Sequence, residues 1–156
     1  MLNYLIVFLI SMVPLIELRG AIVYAVGMDL PLLPSYIICI IGNMLPVPFI
    51  YFFARKVLLW GRDKRFIGKF FTFCLEKGEK AGKKLVATTG RGGLFIALML
   101  FVGIPLPGTG AWTGALGASF LNMGFKSTVA SVSLGLVIAG VIMGAASALG
   151  LHFLGL

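Results

Sequence analysis

The chain has 156 residues, of which 60% are hydrophobic and 12% charged, with a formal net charge of +8. A soluble domain is nearer half apolar and a quarter charged, so a soluble enzyme is excluded, and a disordered chain would be far less apolar. Eleven of the thirteen basic residues fall between Arg55 and Arg91, with only Asp63, Glu76 and Glu79 beside them, and this stretch holds the whole net charge. Elsewhere Glu17, Arg19, Asp29 and Lys126 cancel. A basic island between long uncharged runs fits a membrane protein with a cytoplasmic loop, not a nucleic-acid binder.

The predicted elements follow in chain order. Leu2 to Val13 reads as a helix of about 18 Å, roughly half a bilayer core. No basic segment precedes it and no cleavage signal follows, so a cleaved leader is not expected. Pro14 and the charges Glu17 and Arg19 break it, and a second short helix is expected from about Gly20 to Met28. Asp29, Pro31 and Pro34 end that helix. A first span follows, about Pro34 to Ala54, bent by Pro46 and Pro48. In the basic connector, Phe66, Ile67, Phe70, Phe71 and Cys74 share one helical face. With Lys64, Arg65 and Lys69 they form a basic amphipathic helix suited to the lipids of an anionic leaflet. Thr88 to Gly93 reads as a hinge. Leu94 to Val102, a break from Pro105 to Gly110, and a helix from Ala111 to Leu121 come next, then a last span of about Thr128 to Leu149.

The chain reads as built twice. Displaced by 90 positions, Gly20, Ala21, Ala25 and Gly27 fall on Gly110, Ala111, Ala115 and Gly117. Each copy follows an apolar run ending in Pro and precedes a long apolar run. The expected fold is therefore an all-α membrane domain over residues 1–156: one repeat at 1–54, the connector at 55–92, the other repeat at 93–156. Two half-length helices around a break describe a re-entrant hairpin; a kinked full span is the alternative. With hairpins and a cytoplasmic connector, the repeats are inverted and both termini lie outside.

Chemistry is sought where polar groups interrupt apolar runs. Glu17 and Arg19 at the first break are candidates for a proton carrier and an anion holder, and the break brings the two together as a pair. Helix N-termini at Gly20 and Ala111 add positive ends of helix dipoles. Asn43, mid-span, can line a cavity or bond a helix. In the second break Pro105 and Pro107 lack donors, Gly108 and Gly110 permit close approach, Thr109 and Thr113 offer hydroxyls, and Trp112 can stack on a substrate or pack on the first hairpin. Asp29 reads as a helix-ending interfacial acid, and Gly140, Gly144 and Ala148 as a close-packing face within the fold or between protomers. Cys39, Cys74 and His152 form no metal or disulfide pattern, and no enzyme motif is present, so neither cofactor nor catalysis is expected.

Pro14-Leu-Ile-Glu-Leu-Arg-Gly-Ala-Ile22 and Pro105-Leu-Pro-Gly-Thr-Gly-Ala-Trp-Thr-Gly114, around a long span and a basic middle, resemble the small multidrug export protein family. That family looks like a distant branch of the DedA (VTT) membrane proteins. The resemblance implies two inverted re-entrant hairpins, with Glu17 and Arg19 as the charged tip. It also implies movement of a phosphate-bearing lipid, coupled to protons. The second break has no acid or Arg, unlike the DedA pattern. The expected function is a plasma-membrane transporter or flippase for an anionic amphiphile, working as a homo-oligomer. Export of cationic drugs, with Glu17 as the binding charge, and a non-transporting scaffold are the alternatives.

Overall fold

The computed structural model describes residues 2–14, 16–62, 68–106 and 108–154. Among them all regular structure is helical: α1 Leu2–Met12, α2 Glu17–Gly27, α3 Leu32–Met44, α4 Pro46–Arg62, α5 Gly68–Gly103, α6 Ala111–Phe120 and α7 Phe125–Leu154.

The first break is shorter than the sequence suggests. The Glu17 amide already bonds the Val13 carbonyl at 3.0 Å and the Gly20 amide that of Ile16 at 3.1 Å. Helix α2 therefore starts at Glu17 rather than Gly20, and both charges sit in its first turn. Gly20 lies a turn inside α2, where a Cβ would run into the Ile16 side chain. An acid at the start of a helix faces the positive end of the backbone dipole, which favours the earlier start.

Helices α2 and α6 end in the same way. After α2, the Leu30 amide reaches back to the Ala25 carbonyl and Asp29 to Val26, with Asp29 at φ 52°. After α6, Met123 reaches Ala118 and Asn122 reaches Ser119, with Asn122 at φ 54°. These are Schellman ends closed by an acid and an amide, the residues after Gly that best tolerate the left-handed region. Asp29 is exposed and terminates its helix.

Among the described residues two helices are long and apolar enough to cross a membrane, through Leu32–Ala54 and Phe125–Ser147. The first comprises α3 and the start of α4, interrupted at Leu45, because Pro46 and Pro48 bring no amide to the ladder. Both carry large apolar side chains on the outside, including Phe49, Phe53, Ile37 and Val141. Exposed apolar surface on this scale marks a membrane or protein contact. The expected hinge narrows to one residue: α5 stays helical through 88–93 but kinks at Gly90, whose φ of 71° suits glycine.

Each short second helix packs on the opposite half. Helix α2 lies against α7 as well as α1 and α3, and α6 lies against α4 as well as α5 and α7. Leu18, Ile22, Val102, Ala111, Ala115, Val132 and Leu136 fill the resulting core. Tyr51 of α4 donates to the Met123 carbonyl, and Ser119 of α6 returns a 3.0 Å bond to the Tyr51 carbonyl. Of the small-residue face on α7, Gly140 lies under the Tyr36 ring and Gly144 beside Leu32, so this face packs within the fold. The Tyr36 hydroxyl donates to the Val137 carbonyl at 2.6 Å. The side chain of Ala148, and the amphipathic stretch with Lys64, Arg65 and the Lys69 side chain, lie outside the described residues, as do the side chains of Cys74 and His152.

Candidate functional site

A broken helix leaves carbonyls unpaired on one side of the break and amides on the other. Here the two breaks face each other, and side chains of each satisfy the backbone of the other. Arg19 reaches the end of α5. It donates to the Leu106 carbonyl, to the Ile104 carbonyl at 3.2 Å and to the Thr109 hydroxyl at 2.8 Å. A guanidinium at a helix C-terminus also meets the negative end of its dipole. Thr109 turns its own hydroxyl to the Ile104 and Leu106 carbonyls, at 2.7 and 2.9 Å; with one proton it donates to one at a time.

Glu17 faces the start of α6. Its carboxylate accepts the Trp112 amide at 3.2 Å and is only 5% exposed. A Cβ at Gly110, the residue before α6, would overlap that carboxylate, so glycine is required by close approach. Glu17 itself has φ 52°, a backbone state uncommon outside glycine and concentrated at functional sites. In return, the Trp112 indole donates to the Met12 carbonyl at the end of α1, at 3.2 Å. This contact with the first break is one of the two roles expected of Trp112.

Glu17 and Arg19 do not form the expected ion pair. Among the described residues each is bonded to the opposite break instead. Residues two apart on a helix diverge, and α2 has already begun at Glu17.

Glu17 also reaches a cavity of about 480 Å³ between α4 and α6. Pro14, Ile50, Phe53, Val57, Trp112, Leu116 and Phe120 make its walls, with Thr113 and Gly108 beside them, and among the described residues Glu17 is the only charged one lining it. Thr113 bonds its own helix through the Gly110 carbonyl at 3.2 Å. Gly108 turns at φ 83°, and Pro105 is half-buried in the break. Pro107 lies outside the described residues. Asn43 is fully buried, bonds the Cys39 carbonyl at 3.1 Å, leaves its own carbonyl oxygen without a partner, and is not on the cavity wall.

The α4 wall was missed from the sequence, although Ile50, Phe53, Ala54 and Val57 stand at i, i+3, i+4 and i+7, the spacing of one helix face. That stripe was readable; that it faces α6, whose Trp112 and Thr113 were expected as site residues, was not.

No curated protein and no solved structure matches the chain. The sequence pattern of one family, described as small multi-drug export protein, matches residues 17–142, a stretch that holds Glu17, Arg19, the second break, most of the cavity lining and most of both apolar helices. The chain belongs to the small multi-drug export protein family and is a membrane protein.

Proposed function

We propose that the chain is a transporter that exports hydrophobic monovalent cations, with Glu17 as the substrate-binding charge. The observation that carries this reading is a buried carboxylate that is, among the described residues, the single charge on an apolar, aromatic-walled cavity. Trp112, Phe53 and Phe120 offer ring faces, which attract organic cations. A cation and a proton would compete for the same carboxylate, so uptake of one releases the other and export is coupled to the proton gradient.

The proposal includes two re-entrant hairpins in inverted repeat. Two observations support it. Arg91 and Leu94 before the second broken element line the same cavity as Met123 and Gly124 after it. A full span would separate those ends by about 30 Å. Arg19 and Thr109, which bond each other, are 90 residues apart, the displacement that superposes the two halves of the sequence. Equivalent residues that touch lie beside the axis relating their repeats. Single cysteines at Gly92 and Gly124, where a side chain meets nothing within 4 Å, test this. A membrane-impermeant reagent reaches both from one side if the element is re-entrant, and from opposite sides if it spans. Two apolar spans are few for an enclosed path, so a homo-oligomer in the plasma membrane is part of the proposal, checked by cross-linking before detergent.

The DedA-like alternative, a phosphate-bearing lipid held by Arg19, draws on the resemblance and on the place of Arg19 beside the break. Against it, three of the five guanidinium N–H groups are already engaged by protein acceptors, which leaves two for an anion. Transport in proteoliposomes separates the two. Glu17→Gln abolishes proton-driven uptake of tetraphenylphosphonium in the cation reading. If Glu17→Gln transports normally while Arg19→Ala stops lipid movement, the lipid reading replaces it.

A further inference from the structure

We propose a second binding site, for an anionic phosphate group, in a cavity of about 590 Å³ where α5 meets the turn between α6 and α7. The site does not depend on the transport reading. Lys83 and Arg91 both line it, one on each side of the Gly90 kink, so the bend in α5 turns two cations toward one space. Among the described residues no acid lines it, and both side chains are exposed. Ser127, in the first turn of α7, adds a hydroxyl. The floor is apolar: Leu94 is 6% and Met123 4% exposed. Two cations and a hydroxyl over an apolar floor match a phosphate with a hydrocarbon stem.

The level of the cavity along the chain points the same way. Arg91 and Lys126 bound the uncharged run 92–125, the first at its start and the second at its end. Residues from both boundaries, Arg91 and Ser127, line the cavity. Basic residues at the ends of apolar membrane segments sit among lipid head groups. The site thus lies where phosphates are concentrated, away from Glu17, which lines the other cavity.

Native mass spectrometry of the full chain in neutral detergent, titrated with phosphatidylglycerol, tests the proposal. The double variant Lys83→Gln/Arg91→Gln is expected to bind at least about tenfold more weakly than the wild type. Lys56→Gln, exposed and off the cavity, is expected to bind as the wild type does. Ser127→Glu keeps both bases, brings a negative charge into the cavity and is expected to weaken binding as well. Displacement of the lipid by millimolar inorganic phosphate assigns the site to phosphate as such; lipid that resists displacement assigns it to a lipid head group. Equal binding by wild type, double variant and Ser127→Glu, or an equal loss in Lys56→Gln, overturns the proposal.

Discussion

The first break carries two charges and the second carries none, yet the two are bonded into one unit. Residues 17–19 supply a carboxylate and a guanidinium; residues 104–112 supply the carbonyls, hydroxyl and amide that receive them. Only the Trp112 indole runs the other way. A facing pair of broken helices therefore does not need a charged tip on each side. One break can hold the charges if the other presents bare backbone, and a Pro- and Gly-rich segment does that best.

The sharpest way to break this complementarity is at Gly110. A side chain there displaces the Glu17 carboxylate from the start of α6. Gly110→Leu is expected to abolish export and to destabilise the fold by about 3 kcal/mol, as severe overpacking does. Thermal unfolding in detergent and resistance of expressing cells measure the two effects. The control change Gly92→Leu meets open space and is expected to be neutral in both assays.

Removing the other charge has a smaller effect. Arg19→Ala takes the guanidinium from the carbonyls at the end of α5 and leaves them the Thr109 hydroxyl, which serves one at a time, a loss of about 1–3 kcal/mol. Arg19→Lys is expected to recover only part of it, because an ammonium does not reproduce the guanidinium fork. If Arg19→Ala melts at the wild-type temperature, the contact between the breaks is not what holds them.

The least effect is expected from the one bond that runs in the opposite direction. Trp112→Phe keeps a ring on the cavity wall and deletes the donor to the Met12 carbonyl, costing about 1 kcal/mol. Export is expected to persist with modestly weaker affinity for the cation, since Trp attracts cations better than Phe does.

The positions of the breaks were legible in the sequence because their causes are local. Pro14 and Pro105 interrupt apolar runs, and Glu17 and Arg19 stand out in a segment otherwise free of charge. The partners of those charges were not legible. Arg19 meets Thr109 and Glu17 meets Trp112 across 90 and 95 residues, and no local pattern encodes such contacts. Instead, the break suggested an ion pair between Glu17 and Arg19, because nothing local shows that other partners stand opposite. The start of α2 was placed late for a related reason: the charges were read as the break, whereas backbone bonds close ahead of them.

Equilibrium binding of labelled tetraphenylphosphonium to the purified protein tests Glu17 as the substrate charge most directly. Glu17→Gln keeps the size of the side chain and removes its charge. Binding is expected to weaken by more than about tenfold in Glu17→Gln and to survive in Trp112→Phe, because among the described residues the carboxylate is the only charge on the cavity. Equal affinity of wild type and Glu17→Gln would show that the cation does not bind at Glu17.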